Sequence, residues 1–346
     1  MGLQIGDIVP RTSVSFKELK DKIIAVDAFN AIYQFLSSIR QPDGTPLMDD
    51  KGRTTSHLSG LFYRNIALLS EGIKLVYVFD GEYHALKNKT HDKRENAKES
   101  AKEKYKEARD EGDIFTMGKY AKAFSRIDDA MINESKELLE AMGIAVVQAP
   151  GEGEMQAAQL VKDGGANAVG SQDYDALIVG GERLIQNLTL ARKRKIASGF
   201  IYIEPEIIEL KKVLQSLEID RDQLICLAIL VGTDFNPGGV KGIGPKKALA
   251  LVKRKKYPVT IFDEVEEIHG DLGFNWKEVF ELFKKPDVEK IKITFPKPDD
   301  EKVIKILVDE HQFSKDRVEK QLAKLQDIKK QEGQKKLFNL LFLLHI

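Results

Sequence analysis

Short apolar segments that end in an acidic residue constrain the fold of this 346-residue chain most strongly. Three of them cover residues 22–28, 73–81 and 166–173, and residues 143–150 form a similar fourth. Short, almost continuously apolar segments are typical of strands buried on both faces of a parallel sheet. Helix-forming stretches follow them, at residues 28–40, 54–72, 128–143 and 153–165. This alternation predicts an α/β fold with a mostly parallel sheet flanked by helices, in which ligands bind beyond the carboxyl ends of the strands.

The composition limits the classes of function. Lys and Arg (54) balance Asp and Glu (54), so any affinity for nucleic acid must come from local clusters. A charged fraction of 31% exceeds the roughly 25% that is usual, as in heat-adapted proteins. The single cysteine, Cys226, excludes a disulfide framework and a cysteine zinc site. No apolar run approaches the ~20 residues of a membrane span. We therefore expect an intracellular protein with no membrane partner.

Acidic residues recur where the predicted strands end. A single Asp at such a place is usually a helix cap or a turn former. In a parallel sheet, however, all these strand ends lie at one edge. One further acid follows a predicted helix in the second half of the chain. The candidates are Asp27, Asp80, Glu152, Glu154, Asp173, Asp175 and Asp234. Oxygen ligands of this kind suit Mg²⁺ or Mn²⁺ better than zinc. Two such ions roughly 3.5–4 Å apart stabilise the attacking and leaving oxygens of a phosphodiester.

A basic stretch lies between the second and third predicted strands. Residues 86–109 hold nine Lys or Arg and five acids with almost no apolar face, which indicates either a solvated helix or one that contacts a partner. Lys87 and Arg94 are seven residues apart and share a helix face that begins beside the acidic edge. Cations there could steady a phosphate. Tyr33 could stack on a base, or be an ordinary amphipathic tyrosine.

The segment 238–256 is rich in glycine and lysine and contains no acid. Its glycines allow close approach of the backbone, and Pro245 suits the first turn of a helix, whose N–H groups would face a phosphate. Lys246, Lys247 and the later run at 253–256 would add a grip on phosphates that is independent of base sequence. The alternative is a solvated helix face. We also expect residues 205–256, and most of the chain beyond them, to be helical.

Five segments together resemble the flap endonuclease family of structure-specific 5′ nucleases, and its archaeal-type members most closely. They read VDAFNAIYQFL, VYVFDG, APGEGEMQAA, GSQDYDALIVG and GTDFNPGGVKGIGPKKAL, in the order of the family, over roughly residues 1–330. The resemblance implies a PIN-like, mostly parallel sheet, a helical arch and a helix–two-turn–helix element that binds duplex DNA. It also implies Mg²⁺-dependent cleavage of 5′ flaps near the junction of single and double strands, with 5′–3′ exonuclease activity, in replication (Okazaki fragment maturation) and repair.

The resemblance also assigns roles by motif position. The seven acids would hold two Mg²⁺ ions, with Mn²⁺ as a substitute, while Lys87 and Arg94 would contact the scissile phosphate. DNA contacts would come from Tyr33, Arg40, Gly239, Lys241, Gly242, Gly244, Lys246 and Lys247. Backbone carbonyls around Gly239, Val240 and Ile243 would hold K⁺. Gly2, exposed once Met1 is removed, would lie near the active site.

The same resemblance divides the chain. It implies nuclease regions at 1–82 and 129–232, an arch at 83–128, the helix–two-turn–helix and further helices at 233–330, and a partner-binding tail at 331–346. Two features depart from the family. Glu82, Tyr83 and His84 stand where many relatives have Lys-Pro-Pro. In the tail, Gln334 and Leu337 fit the motif that docks on the sliding clamp (PCNA), whereas Leu340 and Leu341 occupy its aromatic positions.

Three kinds of function remain open at this point. The first is a monomeric flap endonuclease that acts on branched DNA with a 5′ flap, in the cytoplasm or nucleoid of an archaeon, or the nucleus of a eukaryote. A sibling 5′ exonuclease or gap nuclease belongs to the same class, because the arch loop at about 110–128 would set strand threading. The second is a non-catalytic binder of branched DNA or clamp adaptor. The third, a two-metal phosphatase or nucleotidase, leaves the two basic segments without a role.

Overall fold

The structure is a computed structural model and describes a large part of the chain. The described residues are 3–41, 43–81, 99–108, 113, 116, 120, 127–190, 193–196 and 199–343. Lys87, Arg94 and Gly2 lie outside them, as does most of the predicted arch.

A mixed, mostly parallel sheet forms the centre of the described fold. Its strands, in chain order, are β1 (Thr12–Ser13), β2 (Ile23–Asp27), β3 (Lys74–Phe79), β4 (Ala145–Gln148), β5 (Ala168–Gly170), β6 (Arg183–Gln186) and β9 (Glu206–Glu209). A separate ribbon consists of β7 (Lys193–Ile196) and β8 (Gly199–Tyr202). Strands β2 to β6 pair in parallel, and β9 runs antiparallel to both β6 and β1. The four predicted strands are confirmed.

Helices cover both faces of this sheet. Those before the last strand are α1 (Ala28–Ser38), α2 (Ser56–Ser70), α3 (Asp129–Ala141), α4 (Gly153–Lys162) and α5 (Asp175–Ile178), together with the helical residues 99–108. The later ones are α6 (Leu210–Leu217), α7 (Arg221–Val231), α8 (Pro245–Lys255), α9 (Pro258–His269), α10 (Trp276–Lys284), α11 (Asp300–Ile304) and α12 (Lys315–Leu343). A π-helix at Lys305–Glu310 follows α11.

The prediction that residues 205–256 are all helical is wrong at one place, and the helical prediction for the later chain is wrong at another. Residues 206–209 form β9, since Ile207 and Ile208 are β-branched and the backbone pairs with β6. A four-residue segment is too short for its periodicity to distinguish strand from helix. Residues 285–299 are irregular rather than helical.

The order of the strands creates one crevice. The sheet runs β1-β9-β6-β5-β2-β3-β4, so the chain builds outward from β2 to β4 on one side and then returns to place β5 on the other side of β2. In an α/β sheet such a reversal leaves room for a ligand beyond the carboxyl ends of the two strands concerned. The switch point therefore lies beyond Asp27 at the end of β2 and Gly170 at the end of β5.

The alternating side chains of the strands supply two apolar layers. Ala25, Val76 and Val78 face a layer with α4, α5 and α7, in which Cys226 is fully buried. Ile24 and Phe79 face the opposite layer, formed with α1, α2, α3 and the first part of α12. The sheet is thus covered on both sides, which explains why its strands are apolar throughout.

No helix within the described ranges is long and apolar enough to span a membrane.

A buried polar cluster joins the C-terminal part of the chain to the helices on the second face. His311, which follows the π-helix, places Nδ1 3.1 Å from Asp49 Oδ2 and Nε2 3.3 Å from Glu134 Oε1. The other Glu134 oxygen lies 3.5 Å from His57 Nε2. Arg53 donates to Asp49 and to the backbone carbonyl of Glu310. Four separate segments are therefore held together by one carboxylate–imidazole–guanidinium network.

We predict that Glu134→Gln lowers the free energy of unfolding by about 1–3 kcal/mol, because it leaves buried imidazoles facing a neutral amide. Burial by itself would raise the pKa of Glu134, but the adjacent His57 imidazole and the charges of His311 and Arg53 bring it below the usual 4.5. A lowered pKa stabilises the fold above the unfolded value, and this contribution is lost as the pH falls through the folded value.

Denaturant titrations of both proteins at about pH 6 and about pH 3 provide the measurement, and the difference between them should shrink at the lower pH. Glu140→Gln, an exposed change on the same helix, serves as the control and should shift stability by less than about 0.5 kcal/mol. Equal effects of the two changes would contradict the prediction.

Candidate active site

The structure places six of the seven predicted acids at the carboxyl edge of the sheet or on elements that begin there. Asp27 ends β2, Asp80 follows β3, and Asp173 lies in the turn after β5. Asp175 begins α5, and Glu152 and Glu154 lie at the start of α4, which follows β4. One edge of the sheet thus carries acids from four strand–helix units.

Asp27 is both a helix cap and a member of the acidic group. It is almost buried, and its Oδ1 accepts the backbone N–H of Asn30 at 3.0 Å, which caps α1. Its charge also acts on Glu154. Asp27 therefore caps a helix, and its role as a metal ligand stays a prediction.

Asp80 is fixed by the neighbouring α4 and β4. Its Oδ1 accepts the backbone N–H of Gly153 at 2.8 Å, and its backbone carbonyl accepts Gln148 Nε2 at 2.5 Å. A Cβ atom at position 153 would lie 2.6 Å from Asp80 Oδ1 and 2.9 Å from the carbonyl of Val78. Only glycine therefore lets the start of α4, with Glu152 and Glu154 on either side, come this close to Asp80.

Glu154 is buried among the other acids of this edge. Its Oε1 accepts the backbone N–H of Ala176 at 3.0 Å, which partly stabilises the charge. Burial, followed by the charges of Asp175, Asp173 and Asp27, nevertheless raises its pKa well above the ordinary value. Three carboxylates from two other segments of the chain thus repel the carboxylate of Glu154.

The acids do not converge on a single point. Within the described residues, no three His, Cys, Asp or Glu side chains have the arrangement that holds a metal ion. They accept hydrogen bonds from backbone N–H groups and from Asn30 instead. The group still fits divalent cations, since its donors are all oxygen and a cation would offset the repulsion that raises the pKa of Glu154.

Asp234 lies on the second half of the molecule, three residues after α7. Helix α7 packs on α5, where the Arg221 side chain donates to the carbonyl of Ile178 at 3.0 Å. Asp234 therefore follows a helix that contacts the helix begun by Asp175.

Residues 232–244 connect α7 to α8 through tight turns, as expected for a helix–two-turn–helix. Gly239 has φ +54°, and a Cβ there would lie 2.3 Å from the carbonyl of Leu230, so glycine is required for both reasons. The same Leu230 carbonyl accepts the N–H of Val240 at 2.8 Å, and Asn236 Nδ2 donates to the carbonyl of Ile229 at 2.7 Å. The connection is therefore folded back onto the end of α7.

Helix α8 begins as predicted, with Gly244 at its N-cap and Pro245 in its first turn. Lys241, Lys246 and Lys247 are exposed here, although Lys247 Nζ donates to the carbonyl of Gly242 at 3.0 Å. The later run is engaged elsewhere, because Lys253 pairs with Glu218 and both Arg254 and Lys255 pair with Glu264. The positive charge available at α8 is thus concentrated at its N-terminal end.

The remaining predicted contacts differ in their surroundings. Tyr33 is 41% exposed on α1. Arg40 is half-buried, donates to the carbonyl of Gly44 at 2.6 Å, and burial lowers its pKa. The backbone of α12 continues through Gln334, Leu337, Leu340 and Leu341 to Leu343.

Sequence reasoning missed three features of this edge. Asn30 and Gln148 hold acidic residues in place, yet neither stands in a pattern that marks it. The third is the β7–β8 ribbon, which leaves the sheet after β6 ends at this edge and exposes Phe200 (57%), Ile201 (41%) and Tyr202 (76%). An apolar triplet outside a core is a feature that only the fold reveals.

Comparisons with known proteins agree with this arrangement. The model of the XPG N-terminal domain matches residues 4–101, and that of the XPG I-region matches residues 143–234. Flap endonuclease 1 of Pyrococcus abyssi is 50% identical over 327 residues, 94% of each chain. Flap endonuclease 1 of Nanoarchaeum equitans is 48% identical over 343 residues, covering 98% of this chain and 99% of that one.

Solved structures agree as well. Flap endonuclease-1 from Methanococcus jannaschii aligns with a TM-score of 0.74 and 43% identity, over 94% of this chain and 98% of that chain. The catalytic core of Rad2, at 23% identity and a TM-score of 0.70, shares the fold over 94% of this chain and 100% of its own. The chain therefore belongs to the XPG nuclease family, as an archaeal-type flap endonuclease.

Proposed function

We propose that this enzyme, a structure-specific DNA endonuclease, cuts 5′ flaps near the junction of single-stranded and double-stranded DNA. It would also remove nucleotides as a 5′–3′ exonuclease, acting in replication and repair in the nucleoid. The observation that carries the proposal is the acidic group at the β2–β5 switch point, where hydrogen bonds hold Asp27, Asp173 and Glu154 beside the start of α5. Burial, followed by the charges of Asp175, Asp173 and Asp27, raises the pKa of Glu154 there. The family of the chain and its relatives named flap endonuclease 1 support the same activity.

The proposed cofactor is a pair of Mg²⁺ ions, for which Mn²⁺ could substitute. Asp27, Asp80, Glu152, Glu154, Asp173, Asp175 and Asp234 would hold them. When bound, the ions would lower the pKa of a water molecule and offset charge on the phosphodiester. The chain's own contribution is to hold the carboxylates on rigid elements, through the Gly153–Asp80, Ala176–Glu154 and Asn30–Asp173 hydrogen bonds.

The other parts of the proposed machinery grip the substrate. Lys87 and Arg94 would contact the scissile phosphate, where positive charge stabilises the transition state. Tyr33, exposed on the helix that Asp27 caps, would stack on a base beside the cut. This division assigns residues 1–82 and 129–232 to the nuclease, 83–128 to an arch and 233–330 to a duplex-binding region.

The α7–α8 element would bind the duplex away from the cut. The N-terminus of α8 carries free backbone N–H groups and lacks a side-chain cap, which suits a phosphate. Lys241 and Lys246 add charge, and K⁺ would bind backbone carbonyls around Gly239, Val240 and Ile243. The catalytic core of Rad2, which shares the fold, has been solved in complex with a DNA substrate. A branched DNA with a 5′ flap is thus the proposed partner.

The alternatives are less well supported. A non-catalytic adaptor would have lost several of the acids, yet all seven positions carry carboxylates. A phosphatase for small substrates would not need the exposed lysines at α8.

One prediction of the proposed function concerns the strand polarity of cleavage and its dependence on metal. With Mg²⁺, the protein should release a 5′-labelled flap near the junction and leave a 3′ flap intact, while Ca²⁺ or EDTA should abolish cutting. Asp175→Ala should lower the single-turnover rate by at least about 1,000-fold, because it removes a charge that acts only on the chemistry. Its affinity for the flap DNA, measured by fluorescence anisotropy in Ca²⁺, should stay within about threefold. Tight binding without cleavage in any metal would favour the adaptor.

The second prediction tests the grip on the duplex. Lys246→Ala should weaken binding of flap DNA equally for all base sequences and lower the slope of log K against log salt by about 1. Lys253→Ala is the matched control on the same helix, since Lys253 already pairs with Glu218. Its salt slope should match that of the unmodified protein. Equal salt slopes for both variants would show that Lys246 does not contact the DNA.

A third prediction concerns the tail, residues 331–346. We propose that it docks on a sliding clamp through Gln334 and Leu337, with Leu340 and Leu341 replacing the aromatic residues of the motif. The double change Gln334→Ala and Leu337→Ala should weaken clamp binding by at least about tenfold in calorimetry, because it removes an anchoring side chain from an apolar pocket. Flap cleavage without the clamp should be unchanged. Unaltered clamp affinity would exclude this tail as the docking site.

A further inference from the structure

Asn30 joins the two strands that flank the switch point. It lies in the first turn of α1, directly after β2, and its Nδ2 donates to Asp173 Oδ2 at 3.0 Å. Its Oδ1 accepts the backbone N–H of Gln172 at 3.2 Å. The backbone N–H of Asn30 itself donates to Asp27 Oδ1 at 3.0 Å. One residue therefore contacts an acid on each side of the crevice.

The turn that carries Asp173 is held from both sides. Asn30 binds the N–H of Gln172, while Gln186 Nε2 donates to the Gln172 carbonyl at 2.8 Å. Ser171 Oγ accepts the N–H of Asp173 at 3.2 Å. The peptide groups next to Asp173 are thus fixed by the fold, and Asn30 alone among these side chains also contacts its carboxylate.

The chemistry of the amide suits this position. A hydrogen bond to a carboxylate is about twice as strong as one between neutral groups, so it orients the acid firmly. An asparagine adds no charge and does not titrate, whereas a lysine or arginine would compete with a cation for the same carboxylate. Its amide group can donate to one partner and accept from another at the same time. A serine side chain is too short to make both contacts.

We propose that Asn30 is a positioning residue that orients Asp173, relative to Asp27, for binding a divalent cation. This rests on the proposed function, because it takes Asp173 as a metal ligand. Partners that hold a metal ligand in place typically change metal affinity or activity by about 10–100-fold when they are lost. The contact matters in this setting because Asp27, Asp173 and Asp175 all lie close enough to Glu154 for their charges to act on it, so the orientation of Asp173 affects a closely grouped set of acids.

Direct metal binding tests the proposal without using activity. Free Mn²⁺ is measured by electron paramagnetic resonance in titrations of the unmodified protein, Asn30→Leu and Gln34→Leu. Gln34 is the matched control, because it lies one turn further along α1 and its Oε1 accepts Thr189 Oγ1 at 2.5 Å, away from the acids. We expect Asn30→Leu to bind Mn²⁺ about 10–100-fold more weakly and Gln34→Leu to bind it normally.

A second measurement separates orientation from folding. The single-turnover cleavage rate of Asn30→Leu should be low at limiting Mg²⁺ and recover at high Mg²⁺, with flap affinity in Ca²⁺ unchanged. A general defect in folding would not recover with metal. Thermal unfolding of each variant without metal checks this, and Asn30→Ser replaces Asn30→Leu if the larger apolar side chain prevents folding.

The outcomes are distinguishable. If the unmodified protein binds no Mn²⁺ and cuts no flap, the proposed function fails. If it does both and Asn30→Leu binds Mn²⁺ as tightly as Gln34→Leu does, only the role of Asn30 is overturned. Weaker binding in both variants would likewise overturn it, because the effect would belong to α1 as a whole.

Discussion

The parallel pairing of β2 with β3 on one side and β5 on the other is the constraint on which the rest of the structure depends. Its register sets Ala25 opposite both Val76 and Val169, so the three strands end at nearly the same level. The acids that follow them are therefore brought to one edge by backbone hydrogen bonds rather than by attraction among themselves. Apolar layers on both faces stabilise this arrangement against the repulsion that it creates.

Backbone N–H groups that donate to the carboxylates partly offset this repulsion. Helices α1, α4 and α5 all begin at the edge, and N–H groups in or beside their first turns donate to Asp27, Asp80 and Glu154. The partial positive charge of helix N-termini reinforces these bonds. Burial and the neighbouring charges nevertheless raise the pKa of Glu154. A bound divalent cation would offset the negative charge of such a group.

Although the net charge of the chain is zero, the start of α8 carries exposed basic residues. At α8 the C-terminal cations pair with Glu218 and Glu264, whereas Lys241 and Lys246 near its start are exposed. Glu218 and Glu264 thus offset two of the three positive charges of this run, all of which sequence inspection counts toward nucleic-acid binding. Arg40 differs, because its guanidinium donates to the neutral carbonyl of Gly44, which holds the side chain without offsetting its charge. A local count of basic residues overestimates the available charge, because partners distant in sequence neutralise part of it.

The strand–helix alternation, the acids at the strand ends, Gly239 and Pro245 at the turn into α8, and the family could all be predicted from the sequence. These features depend on neighbouring residues, or on motifs with a fixed spacing along the chain. The strand order, β9, the partners of Lys253 and Glu134, and the contact of Asn30 with Asp173 became visible only in the folded chain. Each of these joins segments that are far apart in sequence, as Asn30 and Asp173 are, 143 positions apart. Neither periodicity nor propensity encodes which distant groups will meet, since that depends on how the packed elements are arranged.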